Sequence, residues 1–244
     1  MTAETPMLRV VTWNIHSCVG IDARFDPDRV ADVIRSLAPD VLALQEVGWH
    51  HRGERGFDQF GFLARATGLH AVAGPTKRDL RSHYGNALLS RHPIAAVRLI
   101  DISQPFREPR GAIDVDVDAP GGPIRVIAAH LGLDPWERAA QVARILDGFG
   151  PPDGRPALFM GDLNEWRPDS PRLRHLRTRL PHVGAPRSFH ARFPTLRLDR
   201  IFLAGPLAFR HIEAVRTKLT RHASDHLPVR ALVARTGRIE TAED

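Results

Sequence analysis

The sequence predicts an α/β fold, and three observations carry that expectation. A strand, a helix and a second strand are readable in succession between residues 8 and 47, the signature of a βαβ unit. An apolar run at Ala157–Met160 leads straight into Gly161-Asp162-Leu163-Asn164, as a strand buried on both faces would. Residues 112–118 alternate apolar and acidic, which reads as a half-exposed antiparallel strand.

In chain order, Leu8 to Trp13 is rich in β-branched residues and forms the first predicted strand, ending at Asn14. Asp26-Pro27 opens a helix, with Asp as N-cap and Pro in the first turn. Val30, Val33, Ile34 and Leu37 give its buried face, and Pro39 closes it. Val41 to Leu44 is the second strand, ending at Gln45-Glu46-Val47. A short helix follows over 58–67, with Phe62, Leu63 and Ala66 inward and Gly68 as its stop. Residues 84–90 and 95–102 read as paired strands around Arg91-His92-Pro93. Pro120-Gly121-Gly122-Pro123 turns the alternating strand into Ile124–Ala129, which ends at His130. Asp134-Pro135 starts another helix, Glu137 completes a capping box, and Ala139, Val142, Ile145, Leu146 and Phe149 face inward. Gly161 is expected to let the chain turn where the next strand ends. Residues 165–194 read as a long loop region with a short basic helix near 173–180. Strands are expected at 199–203, at 210–219 and from Val229.

Bulk properties are those of an ordinary globular chain: 244 residues, 43% hydrophobic and 25% charged. The single cysteine, Cys18, rules out an internal disulfide. No signal peptide is recognisable, and no apolar run approaches the roughly 20 residues that span a bilayer, so a cytoplasmic monomer is expected. A single domain over 8–235 is expected, with frayed segments at 1–7 and 236–244. Net charge is +6, and nine arginines against two acids lie between Arg167 and Arg200. Arginine forks match phosphate oxygens, so the stretch suggests a phosphate-rich partner.

The polar residues at the strand ends are Asn14, Glu46, His130, Asp162, Asn164, Asp199, Asp225 and His226. Each alone could be a loop cap. Together they are rich in oxygen, with no cysteine cluster, which suits a hard cation such as Mg2+ or Mn2+ better than zinc. Nucleotide-binding glycine loops and the Gly-x-Ser-x-Gly elbow are absent from the sequence. A cation, a histidine paired with a carboxylate, and a carboxylate aimed at water make a site for phosphoester hydrolysis.

Seven blocks carry a family resemblance: TWNI (12–15), LQEV (44–47), YGNALLSRHPI (84–94), AAHLG (128–132), GDLN (161–164), LDRIF (198–202) and SDHLPV (224–229). In this order they resemble the endonuclease/exonuclease/phosphatase superfamily. The resemblance implies a four-layer α/β sandwich, two mixed sheets face to face with helices outside. It implies Glu46, Asn14 and Asp225 at the metal, and Asp162 orienting or deprotonating the attacking water. Asn164 would hold the phosphate, and His226 would contact it or act as base with its ring fixed by Asp199. His130 would be the second histidine, and Arg110, Tyr84 and Asn86 would reach the phosphate.

The chain departs from particular branches. Val47-Gly48 follows Glu46 where abasic-site endonucleases carry Thr-Lys, and Thr195-Leu196-Arg197 stands where inositol phosphatases carry Trp-Cys. A lone cysteine is unlike the secreted deoxyribonucleases. The chain resembles a compact bacterial-type member. The expected activity is a metal-dependent phosphodiesterase, with nucleic acid slightly ahead of a phospholipid head group as substrate; a non-catalytic phosphate-binding module is the remaining reading.

Overall fold

The computed structural model describes residues 6–48, 54–78, 83–150 and 153–236. Two βαβ units organise them. The first is β1 (Met7–Asn14), α1 (Pro27–Leu37) and β2 (Val41–Gly48), with β1 and β2 parallel. Asp26 caps α1 by accepting the Arg29 amide at 2.9 Å, and Ala38 ends it in a left-handed conformation. The second unit is β7 (Ile124–His130), α3 (Pro135–Phe149) and β8 (Ala157–Asp162), again with its strands parallel.

Each parallel pair lies inside a six-stranded sheet whose other pairings are antiparallel. The first sheet adds β3 (His70–Arg78), β4 (His83–Ser90), β11 (Leu207–Ala214) and β12 (Val229–Arg235), in the order β11-β12-β1-β2-β4-β3. The second adds β5 (Ile94–Asp101), β6 (Gly111–Val117), β9 (His182–Gly184) and β10 (Asp199–Ala204), in the order β5-β6-β7-β8-β10-β9.

The sheets pack face to face through Val10, Ala43 and Leu88 on one side and Val126, Ala128, Leu158 and Met160 on the other. Their outer faces are covered too. Trp13, Leu42 and Leu44 meet Val30, Val33 and Ile34 of α1, while α2 (Gln59–Thr67) adds Phe60 and Leu63. Phe159, Phe202 and Ile127 meet Val142 and Ile145 of α3, and α4 (Pro171–Arg177) adds Leu173 and Leu176. This is the four-layer sandwich. Burial on both faces is why the central strands read as unbroken apolar runs.

The structure corrects several expectations. β4 and β5 do not pair: β4 is flanked by β2 and β3, and the chain then crosses to the second sheet. A strand buried along most of its length needs partners on both edges, and one hairpin neighbour supplies only one. β3 was not expected; it contains Gly74-Pro75, and at the sheet edge a proline is tolerated. The strand expected at 210–219 lies at 207–214, and α5 (Thr220–Ala223) follows it. The capping box at α3 does not form. Asp134 makes no cap and pairs with Arg107 at 2.5 Å, while Glu137 is buried and accepts from Gln141. Ala139 is exposed. β1 begins at Met7, inside the segment expected to fray, and residues 237–244 lie outside the described residues.

Gly161 is not a turn. β8 continues through it to Asp162, and a Cβ there would stand 1.8 Å from the Ala129 carbonyl oxygen of β7. Gly161→Ala is therefore expected to destabilise the protein by about 3 kcal/mol through overpacking, read as a lower midpoint in urea.

Asp114 was expected to face solvent, yet it is 1% exposed. Arg98 and Arg125 each grip it with two hydrogen bonds of 2.6–3.0 Å. Arg125 also donates to the Gly148 and Phe149 carbonyls, closing the end of α3. Burial alone would raise the Asp114 pKa, but the two arginines outweigh it and hold the carboxyl below its usual range. The stabilisation from this triad is present above the ordinary carboxylate pKa and is lost as pH falls through the depressed one. Asp114→Asn should cost about 3 kcal/mol at pH 7, with a shrinking difference toward pH 3 in denaturation curves.

Candidate active site

Both parallel pairs point their C-terminal ends the same way, and the polar residues gather there. Asn14 ends β1, and His130 and Asp162 end β7 and β8 opposite one another in register. Asp199 opens β10 directly across from Asp162. Asp225 and His226 lie in the turn before β12. Glu46 is different. It sits within β2 at an irregularity between Leu44 and Val47, with a left-handed φ of 56°. Bulges of this kind re-aim a side chain beside a site.

Hydrogen bonds tie these groups together. The Asn14 Nδ2 donates to Glu46 Oε1 at 3.0 Å and to Asp162 Oδ2 at 3.1 Å. Its Oδ1 accepts the His16 amide at 3.0 Å. The Asn164 amide donates to Asp162 Oδ1 at 3.0 Å. Asp162 Oδ2 lies 3.6 Å from Nε2 of both His130 and His226. On its far side, the His226 Nδ1 is 2.9 Å from Asp199 Oδ2, which also accepts from Ser188 Oγ at 2.5 Å.

The two histidines are held in opposite charge states. Burial disfavours the His226 imidazolium, but Asp199 and Asp162 outweigh that and push its pKa up to about 10. Burial and the Arg110 guanidinium hold His130 down to about 3. Arg110 donates to His130 Nδ1 at 2.8 Å and to Glu108 at 2.7 Å. Arginine has only donors, so Nδ1 accepts, and the neutral ring carries its proton on Nε2, toward the cleft. Burial pushes the Glu46 pKa up, and the charges of Asp225 and Asp162 add to that; Asn14 and His16 oppose it.

Of the residues expected at the phosphate, Arg110 reaches the cleft through His130, and Asn164 donates to the Leu131 carbonyl at 2.9 Å and lies 3.1 Å from His130 Nε2. Asn86 spends its amide on the Gly111 carbonyl at 2.8 Å. Tyr84 is buried, and its hydroxyl pKa is driven up by burial and by the Glu46 charge.

The Endonuclease/Exonuclease/phosphatase family profile matches residues 11–226. The chain belongs to this family. It is 32% identical over 240 residues to the uncharacterized protein YbhP of Escherichia coli (strain K12), covering 91% of this chain and 94% of that one. Among solved structures it is similar to an endonuclease/exonuclease/phosphatase from Beutenbergia cavernae DSM 12333, with a TM-score of 0.78, 27% identity, and coverage of 95% of this chain and 72% of that one. The human Nocturnin catalytic domain with bound sulfate shares the fold at a TM-score of 0.73 and 20% identity, covering 95% of this chain and 94% of that one. So does mannosyl-6-phosphatase Bt3783 of Bacteroides thetaiotaomicron VPI-5482, at 0.72 and 15%, covering 93% and 99%.

Phosphoesterases of the endonuclease/exonuclease/phosphatase family typically depend on a divalent metal. The donor set here fits one. Asp225 and Asp162 act on Glu46 as like charges, and such a group of carboxylates calls for a cation. The tightest three-residue cluster among the described residues is a different one, Asp162, Asp199 and His226, whose donor atoms lie within 4.8 Å of one another. A cation between Asp199 and His226 would have to replace their 2.9 Å hydrogen bond. The Glu46 side therefore suits an ion better.

Sequence reasoning missed the supports of the family site. Ser224 Oγ donates to the Asn14 carbonyl at 2.7 Å, and Trp13 Nε1 donates to the His226 carbonyl at 2.9 Å. Ser188 and Glu108 hold Asp199 and Arg110. His16, two residues after Asn14, has a positive φ of 50° and borders Asp225 at 3.9 Å. Trp13, inside TWNI, and Ser224, inside SDHLPV, stood in recognisable motifs; Ser188, Glu108 and His16 did not.

Proposed function

We propose that this cleft hydrolyses phosphodiesters by attack of water, with Mg2+ or Mn2+ as cofactor. One observation supports the reading above the others: Asn14 joins Glu46 to Asp162, whose Oδ2 in turn lies 3.6 Å from Nε2 of both His130 and His226. Glu46 and Asp225 would hold the ion, with Asn14 beside them. The bound ion would neutralise the phosphate and the charge growing on the leaving oxygen.

The chain's own groups supply the rest. Asp162 orients the attacking water and accepts its proton. Burial opposes the ionised form of Asp162, but the neighbouring His226 charge and the bonds from Asn164 and Asn14 win, so its pKa is lowered. His226, kept as the imidazolium, directs Nε2–H at the phosphoryl oxygens while Asp199 fixes the ring. Neutral His130 donates from Nε2, aligned by Arg110, and Asn164 holds the phosphate. The Tyr84 and Asn86 side chains, expected at the phosphate, would support the wall behind Arg110.

Nucleic acid is the first substrate class to test, on narrower grounds than the arginine count suggested. Arg200 is buried, Arg172 pairs with Glu165 at 2.6 Å, and Arg174 and Arg197 are tied to the Asp169 and Ala185 carbonyls. Arg167, Arg187 and Arg192 stay exposed on the loops between β8 and β10. A phospholipid head group is the second reading. Phe106, Leu133 and Trp166 on loops, and Trp136 in the first turn of α3, are exposed close in sequence to Arg110, His130 and Asn164, and the Arg107 guanidinium lies 5.1 Å over the Trp136 ring. No helix among the described residues is long and apolar enough to cross a membrane. A cytoplasmic monomer is part of the proposal.

The test is a panel of bis(p-nitrophenyl) phosphate, single-stranded DNA, RNA and phosphatidylglycerol vesicles, each with Mg2+, Mn2+ or EDTA. Turnover should need the metal, stop in EDTA and return when the metal is restored. Silence on every diester with every divalent ion would end the hydrolytic reading.

A further inference from the structure

A cavity of about 610 Å3 opens from the metal side of the cleft, lined by His16, Gly20, Ile21, His190, Arg192 and Asp225 among others. It shares Ile21 and Arg192 with a second depression of about 360 Å3, which Asp22, Arg221 and His222 complete. The two form one channel leading away from Asp225.

The charges along it do not cancel. Asp22 is matched by Arg29, which binds both of its oxygens at 2.7 and 3.1 Å. Asp225 belongs to the proposed cation cage. That leaves Arg192 and Arg221. The Arg192 guanidinium makes no hydrogen bond among the described residues and leans 5.8 Å over the Phe193 ring. The Arg221 Nε is buried without a hydrogen-bond partner among the described residues.

The floor is stiff. The Ile21 amide donates to the His222 carbonyl at 3.2 Å, and a Cβ on Gly20 would stand 2.3 Å from that same oxygen. Apart from His16 and His190, the walls that Asp225 and Arg192 share in the first cavity are small or apolar: Val19, Gly20, Ile21 and Ala23. Such a channel has an anion-binding far end and a neutral middle. Arginine forks match phosphate oxygens two at a time.

We propose that this channel is a second phosphate subsite: the substrate carries another phosphate, one small neutral unit away from the scissile diester, and Arg192 and Arg221 bind it. The inference rests on the phosphoester reading of the cleft and narrows its substrates. A nucleic acid strand and a phosphorylated polyol head group share this chemistry.

Calorimetric titration separates the channel from turnover. Thymidine 3′,5′-bisphosphate is compared with thymidine 5′-monophosphate, and 1,3-propanediol bisphosphate with its monophosphate, in Mg2+ and in EDTA. Each bisphosphate should bind about tenfold tighter than its monophosphate, the size of one added charged hydrogen-bond set. Arg192→Glu and Arg221→Glu should each bring the ratio close to one, and Arg192→Lys should keep part of it. A preference confined to the thymidine pair assigns the channel to a nucleotide, and an equal preference for both pairs assigns it to the phosphates alone. Equal affinities for mono- and bisphosphates in the wild-type protein overturn the proposal, as does a preference that survives both charge reversals. The wild-type ratio decides even where a variant folds poorly. A chain that hydrolyses nothing but keeps the ratio loses the hydrolytic reading, not the subsite.

Discussion

Glu46→Gln is expected to lower kcat on a model diester by about 10³-fold or more, because it removes the main charge holding the cation. The same variant should be more stable than wild type in EDTA. The Glu46 carboxylate is partly buried, faces Asp225 and Asp162, and has its pKa pushed up in the folded state. Its penalty is absent below the unfolded pKa and grows as pH rises through the folded one. At neutral pH without metal the folded chain carries that cost, and the neutral amide does not. Each kcal/mol recovered raises the melting temperature by about 2–4 °C for a chain of this size. Adding Mg2+ reverses the order: wild type gains by mass action and the variant does not. Melting curves with and without Mg2+, beside initial rates, check both halves. A variant that keeps its rate, or melts below wild type in EDTA, would remove Glu46 from the cation site.

His226→Gln is the second large effect, a fall in kcat of about 10²–10⁴-fold with KM changed much less, measured at saturating Mg2+. Asp199→Asn should lower kcat in the same direction through the ring it orients. The pair also has a pH signature in EDTA. The His226 pKa is raised to about 10 in the fold, against about 6.5 unfolded. The imidazolium–carboxylate contact thus stabilises fully below about pH 6.5 and is lost as pH rises toward 10. Urea midpoints should fall across that window in wild type, and Asp199→Asn should flatten the slope. A slope that persists in Asp199→Asn would show that other groups set it.

Much of this site was legible because of one physical regularity. Strands buried on both faces are apolar, so a polar residue directly after one is conspicuous. Asn14 after LRVVTW, His130 after IRVIAA and Asp162 after ALFMG stood out for that reason. Glu46 stood out as well, but for a reason the pattern misstated: it lies within β2 at a bulge, not past the strand's end. Gly161 was noticed and misread, since its need for a bare Cα comes from a carbonyl on β7, about thirty residues earlier. Arg110 was expected at the phosphate; its clamp on His130, which sets that ring's tautomer, joins residues on different elements.

Local pattern also misplaced partners. Residues 84–102 look like a hairpin, yet the chain leaves one sheet for the other at Arg91–Pro93. Alternation put Asp114 in solvent, but Arg98 and Arg125 come from neighbouring strands to bury it. The arginines after Arg167 looked like one phosphate-tracking surface, and several proved to be tied within the protein.

By itself the sequence determined most of the elements, their apolar faces and the polar residues that end them, because propensity and burial act over a few neighbouring positions. Tertiary structure alone decided which strands share a sheet, how Glu46 is aimed, which histidine keeps its charge, and that a cationic channel leads away from Asp225. Those outcomes depend on the distances and desolvation of groups far apart in the chain, and no local pattern records them.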